Sequence, residues 1–387
     1  MKRLLRLPSS YLGLPILLSC GLTLLSYDLP SGYGQGIALL AALAAATMLL
    51  DRLLGIRLPR FDAFRHFEPA GTRESFVALA FAALVALFCL IDAALFPLPL
   101  FGDPRSYATL DGLHAQVRHL SNMCWVLPPI GLLCARHRWL RHLLVGIGFV
   151  FPVLVIDRNR IFASLFSFGL LIVLRREAAR PMPWKTVAAL LLAGGGVFSA
   201  LGMLRSGSLD TVALPFSPMY RAAPQGIQWL LLYVSAGPYN FGAMLAKHYV
   251  NADFLVNQVV PLSGSVATAG TDIPLDASNI NVGTEFFPFL MALGPAGAAA
   301  ALFALYALLL WSVRRMGRGV ALFPLLIFLR VAYTCVMSPF APQAFTWTNA
   351  GFIGLCLALH AFSALLPNRN DPARTGRVPP AARSLPS

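Results

Sequence analysis

The sequence predicts an all-α fold, a polytopic membrane helix bundle, and three observations carry that expectation. The chain of 387 residues is 57% hydrophobic and only 12% charged, with a mean hydropathy of +0.69. Soluble domains carry about a quarter charged residues, so this much apolar surface exceeds what one buries in water. Apolar runs recur at lengths near the roughly 18 to 25 residues that cross a bilayer as a helix. The basic residues, finally, gather in alternate connections between those runs.

Taken in order, the runs cover 11–27, 34–50, 75–96, 121–135, 142–156, 161–174, 186–204, 286–311, 320–337 and 348–366. That is about ten transmembrane helices. The first follows Met1-Lys2-Arg3 and has no small-residue cleavage site behind it, so it reads as a retained helix rather than a signal peptide. The runs 121–135 and 161–174 are short for a full span and extend into their neighbours. The stretch IQWLLLYVSAGPYNFGAMLA at 227–246 is apolar but interrupted by Gly237-Pro238. It is expected to be a re-entrant hairpin or a surface-lying segment, because broken backbone at membrane depth must pack on protein or line a wet cavity.

Orientation follows from lysine and arginine placement. Lys2, Arg3 and Arg6 precede the first run, and Arg52, Arg57, Arg60, Arg65 and Arg73 follow the second. Arg136, Arg138 and Arg141, then Arg175, Arg176, Arg180 and Lys185, then Arg314, Arg315 and Arg318 occupy later alternate connections. Arg369, Arg374, Arg377 and Arg383 lie in the tail. Both termini are therefore expected in the cytoplasm. Residues 1–366 form one membrane domain whose largest outer segment is 205–285, and 367–387 is a Pro- and Arg-rich disordered tail. The net charge of +14 is thus topological and predicts no nucleic-acid partner. The six cysteines lie within apolar runs without a CxxC pair and read as small buried hydrophobes.

Several charges break the pattern. Asp157, Arg158, Asn159 and Arg160 stand between two apolar runs on the outer side, where basic residues have no topological reason to gather. Two arginines there suit an anion such as a pyrophosphate, with the following helix N-terminus adding favourable dipole; the alternative is a tolerated loop with Asp157 neutralising one arginine. Arg330 lies several residues inside the run 320–337, and an ionisable group within a span marks a bundle interior or wet cavity unless it snorkels to the headgroups. Arg221, Lys247 and His248 lie in the large outer segment and would extend a cationic cavity. Glu285 stands just before the run 286–311, either as a buried base or as an acid complementing a helix N-terminus. Asp253, Asp272 and Asp276 compete for the base role. No metal-ligand, Walker or dinucleotide motif is present, so neither a metal nor a cofactor is expected.

Three stretches are similar to the bacterial oligosaccharide repeat-unit polymerases, the Wzy-type O-antigen or exopolysaccharide polymerases. DRNRIFASLFSFGLLIVLRR at 157–176 resembles their Arg-containing junction that opens a middle helix. YVSAGPYNFGAML at 233–245 resembles a Tyr-x-Ser-Gly stretch, and NVGTEFFPFLMALGPAGAAA from Asn281 resembles a segment leading into a late helix. The chain departs from the family at Gly283, where an aromatic is usual, and at Ala292-Leu293-Gly294.

The resemblance covers roughly residues 120 to 340 and implies a GT-C-like membrane glycosyltransferase. It would join undecaprenyl-pyrophosphate-linked oligosaccharides at the periplasmic face of the inner membrane without metal or cofactor. Arg158, Arg160, Arg221 and Arg330 would hold the pyrophosphate. Glu285, or else His248, would take the acceptor proton. Tyr233, Tyr239 and Phe241 would stack on sugars or anchor the segment, with Lys247 and Asn281 as further sugar contacts. Membrane lipid and a chain-length regulator are the expected partners. The rival readings are an O-antigen ligase, which uses the same donor, and a non-catalytic flippase or transporter, against which the lack of inverted repeats counts.

Overall fold

The structure is a computed structural model, and it describes residues 4–102, 112–176, 184–206, 212–260, 273–277, 280, 282–317 and 320–366. Among these residues regular structure is helical apart from one isolated bridge between Tyr27 and Phe216. The helices are α1 Ser9–Ser26, α2 Tyr33–Leu54, α3 Phe61–Arg65, α4 Arg73–Leu95 and α5 Gly112–Ser121. A 3-10 turn at Asn122–Val126 leads into α6 Leu127–Cys134, followed by α7 Arg138–Leu154, α8 Arg158–Leu174 and α9 Trp184–Ser206. Then come α10 Pro218–Arg221, α11 Gln225–Ala246, α12 Asp253–Val259, α13 Phe287–Met316, α14 Leu322–Met337 and α15 Trp347–Leu365.

Five of these, α1, α2, α4, α13 and α15, are long and apolar enough to cross a membrane. The helix ends carry ordinary local signals. Thr72, Asp157 and Thr346 each accept a backbone N–H of their own first turn, and α2 stops at Gly55, whose φ of 62° is a left-handed cap. The N-terminus of α1 is held by Asp51 of α2, which accepts the Ser9 N–H at 2.7 Å and the Tyr306 hydroxyl at 2.5 Å.

The hairpin alternative for 227–246 is corrected: α11 runs without a break through Gly237-Pro238. A proline inside a helix strands the carbonyl four residues earlier, here that of Val234, and this carbonyl accepts the Ser19 hydroxyl of α1 instead. Thr23 one turn on donates to the Ser235 carbonyl at 2.9 Å. The same device recurs. Pro152 in α7 strands Gly148, whose carbonyl takes the Ser164 hydroxyl at 2.8 Å. α13 differs: it is kinked at Gly294, whose φ of 69° and ψ of −165° are non-helical, Pro295 opens the piece that follows, and the Met291 carbonyl at the end of the first piece takes the Asn251 N–H at 3.0 Å. A freed backbone group far from water needs such a partner, so Pro238 and Pro152 each fix a contact with another helix.

α11 packs against α1, α2, α9 and α13. It crosses α2 where a Cβ on Gly36 would lie 2.6 Å from the Gly242 Cα, and it meets the α14–α15 loop where a Cβ on Gly237 would lie 1.9 Å from the Pro339 carbonyl. No side chain fits at either crossing. α14 is the central element: every residue from Leu322 to Cys335 is buried, against α1, α4, α8, α13 and α15. Anything polar on α14 is therefore inside the protein rather than at the lipid. All six cysteines are buried and free.

Candidate functional site

The charged residue α14 buries is Arg330, 7% exposed. Its Nε donates to the Asn349 Oδ1 of α15 at 2.9 Å, and Asn349 in turn donates from Nδ2 to the Ala344 carbonyl at 2.8 Å. The rings of Trp125 and Tyr333 each lie 5.9 Å from the guanidinium, within cation–π range. Arg330 Nη1 is buried without a hydrogen-bond partner among the described residues. A buried donor left unpaired costs about 1 to 3 kcal/mol, more when charged, and such a group calls for a ligand, ion or water.

One turn along α14, Tyr333 connects this arginine to the start of α8. Its hydroxyl lies 2.7 Å from the Asn159 carbonyl and 2.5 Å from Asn159 Oδ1. Gln343 of the α14–α15 loop donates to the same Oδ1 at 3.0 Å. Asn159 sits between the two outer arginines, which behave differently. Asp157 caps α8 by accepting the Arg160 N–H at 3.0 Å, and its other oxygen lies 3.4 Å from Arg160 Nε. Arg158 instead turns inward, is buried, and places its guanidinium 4.8 Å above the Tyr233 ring of α11. Just before this junction Ile156 has φ 54°, a conformation that β-branched residues avoid and that costs on the order of 1 to 3 kcal/mol.

Glu285 braces the loop from below. It is fully buried and accepts the N–H groups of Gln343 at 2.5 Å, Ala344 at 2.8 Å and Phe345 at 3.2 Å, while its own N–H donates to the Ser338 carbonyl at 2.6 Å. Burial pushes its carboxyl up to about 7, against the three N–H donors and the charge of Arg330, which favour the ionised form. Three further buried polar atoms around this turn lack partners among the described residues: Gln343 Oε1, Thr284 Oγ1 and Ser338 Oγ. With Arg330 Nη1 they make a mixed set of donors and acceptors, which suits hydrated or hydroxyl-bearing groups beside an anion.

The structure thus brings together Arg158, Arg160, Arg330, Tyr233 and Glu285 from the sequence-based candidates. Others gather elsewhere. Tyr239 is fully buried and donates to Asp276 Oδ2 at 2.7 Å, Tyr33 donates to the same oxygen at 3.0 Å, and Lys247 binds Asp276 Oδ1 at 2.6 Å. Burial raises the Asp276 carboxyl, but hydrogen bonds from Lys247, Tyr239 and Tyr33 outweigh it and hold it below the usual carboxylate range. This group pins residues 273–277 to α2 and α11, so Tyr239 anchors the segment and offers no open ring for stacking. His248 is exposed just past α11, where φ 50° makes it a left-handed cap. Arg221 is exposed at the end of the four-residue α10, and Asp253 opens α12. Asn281 and Asp272 lie outside the described residues.

Sequence reasoning missed Asn159 as a hub, and it missed Tyr333, Gln343, Asn349 and Trp125. It also missed a buried ion pair: Asp92 of α4 takes Arg118 through Nε at 2.6 Å and Nη2 at 2.9 Å, and the Ser121 hydroxyl at 2.6 Å. Asp92, the one charge in the apolar run 75–96, was the available signal.

Compared with models of protein families, with characterised proteins and with solved structures, the chain shows no significant match. The site's own chemistry therefore carries the functional argument. Arg160 lies beside Asp157, Arg330 is oriented by Asn349 and feels the charge of Glu285, and Arg158 lies over the Tyr233 ring. Guanidinium groups are suited to anions through forked, charge-assisted hydrogen bonds, which a low local dielectric strengthens.

Proposed function

We propose that this chain is a membrane glycosyltransferase that polymerises undecaprenyl-pyrophosphate-linked oligosaccharide repeat units at the periplasmic face of a bacterial inner membrane. In this reading about ten helices span the membrane in a GT-C-like arrangement with both termini cytoplasmic. The observation that carries it is Arg330, buried on the central helix with Nη1 unclaimed and tied through Tyr333 and Asn159 to Arg158 and Arg160.

The donor's pyrophosphate leaves from the anomeric carbon as an acceptor sugar hydroxyl attacks it. One C–O bond forms, one breaks, and the hydroxyl proton passes to a base or to water. Charge accumulates on the departing pyrophosphate. Fixed cations at that position lower the barrier because they need no reorganisation as charge develops. Arg330 and Arg158 take that role, and Arg160, held by Asp157, completes the field. Glu285 enters as a positioning residue: its oxygens already accept three N–H groups and it is sealed from solvent, so it orients the Gln343 loop. His248 is the other base candidate from the sequence, exposed beyond α11.

The test is deletion in the native host, with surface glycans resolved on a gel. Acceptor capped by a single repeat unit is the expected result. Loss of all capping with accumulated lipid-linked polymer would assign the chain as a ligase, and unchanged polymer length would remove both readings.

A further inference from the structure

A second feature lies beyond the N-terminal end of α14 and at the C-terminal end of α15, where Leu322 stands about 12 Å along the helix axis from Arg330 at about 1.5 Å rise per residue. A cleft of ≈ 1060 Å³ opens there, where α4 begins and where α6 and α15 end. We propose that it binds the phosphate headgroup of a membrane phospholipid. The inference is independent of the proposed catalytic reading.

The walls divide by chemistry. Arg73, Arg136 and His137 supply basic groups, while Phe76, Leu79 and Leu140 supply apolar surface. The carboxylate of Glu74, also in the wall, is already used: it pairs with His360 Nδ1 at 2.8 Å and accepts the Leu322 N–H at 3.0 Å. Arg73 spends one nitrogen on the last carbonyls of α15, donating to Leu366 O at 2.5 Å. Arg136 lies against Gly71, where φ +90° excludes an ordinary side chain and a Cβ would sit 1.8 Å from Nη2. The guanidinium therefore occupies the space a side chain would fill, at the wall of the cleft, and has no acidic partner among the described residues. Glu68 is the remaining carboxylate and is exposed. It disfavours a polyanion and suits a diester carrying one charge.

The surroundings select an amphiphile over a free ion. Phe76 and Trp139 are each 65% exposed and Leu365 is 82% exposed, so the mouth opens onto apolar surface. An exposed tryptophan beside arginines marks the headgroup level of a bilayer. The connections meeting here are also among those where the sequence concentrates basic residues, the side on which basic pockets between helices take lipid headgroups. The volume admits a headgroup and the first part of its acyl chains, at the upper end of the usual ligand range of about 300 to 1,000 Å³.

The test uses the full chain purified in non-ionic detergent, titrated with phosphatidylglycerol, phosphatidylcholine or inorganic phosphate, with binding read by native mass spectrometry. One tightly held phospholipid is expected. Arg136→Ala should weaken it about fivefold and Arg136→Lys should restore most of the loss. Equal binding by wild type and Arg136→Ala would overturn the site, and competition by inorganic phosphate at millimolar concentration would replace the lipid by a free ion. A photoactivatable phosphatidylglycerol gives a second readout on the unmodified protein. Labelling of peptides around residues 71–79 and 134–140 supports the cleft, and labelling confined to other segments contradicts it.

Discussion

Arg330 Nε donates to Asn349 Oδ1 at 2.9 Å, so the guanidinium is oriented by a neutral amide and keeps its charge for something else. A carboxylate partner would have neutralised it. The nearest one, Glu285, is instead committed to three backbone N–H groups of the loop that supports Asn349. An arginine buried on the central helix of an apolar bundle is costly, and a ligand with negative charge offsets that cost. Replacing Arg330 or Arg158 by Ala should lower polymer formation on the order of 100-fold or more while the protein stays in the membrane. Polymer per unit of membrane-inserted protein is the quantity to compare.

Tyr333→Phe removes both hydroxyl contacts to Asn159 and leaves Gln343 as that side chain's only described donor. The cost should be about 1 to 2 kcal/mol, seen as a lower melting midpoint in detergent. Activity should fall further than stability accounts for, because the α8 junction carrying Arg158 and Arg160 loosens. A drop in activity matched by the loss of folded protein would show that Tyr333 has only a packing role.

Glu285 makes stability depend on pH in a defined direction. Its folded carboxyl titrates near 7 against an ordinary 4.5, so the native state binds the proton more tightly than the unfolded chain. Stability from this group is full below the unfolded value, declines as pH rises toward about 7 and is flat above it, a difference on the order of 3 kcal/mol. Glu285→Gln should abolish that slope. Melting curves between pH 5 and pH 8 that are parallel for wild type and variant would contradict the assignment.

Ser19→Ala should cost about 1 to 2 kcal/mol by orphaning the Val234 carbonyl that Pro238 has stripped of its helical donor. In a Pro238→Ala background, where the helix supplies its own N–H, the same change should cost much less. A double-mutant cycle with no coupling would refute the shared role.

Much of the site was legible because membrane proteins place charge sparingly. Arg158, Arg160 and Arg330 stood out by position, and the structure brings them to the start of one helix and the middle of its neighbour. Lys247 and Tyr239 looked similar in sequence, yet Asp276 claims both; a local count of charges does not reveal a partner 29 or 37 residues away. Gln343, Asn349 and Tyr333 were invisible for a related reason. Polar residues at helix ends and loops have many local uses, and what sets Tyr333 and Gln343 apart is contact across 174 or 184 residues to Asn159, while Asn349 is set apart by the Arg330 guanidinium. The Pro238 misreading has the same root: whether a proline breaks a helix depends on whether some distant group, here Ser19, can satisfy the stranded carbonyl.

The central claim is that Arg158 and Arg330 form a pyrophosphate site, and direct binding of undecaprenyl pyrophosphate to purified protein tests it without assuming any reaction. Wild type should bind, and undecaprenol without phosphates should not. Arg158→Ala and Arg330→Ala should each weaken binding at least about tenfold, as expected for loss of a charge-assisted contact. Equal affinity across wild type and both variants would contradict the account.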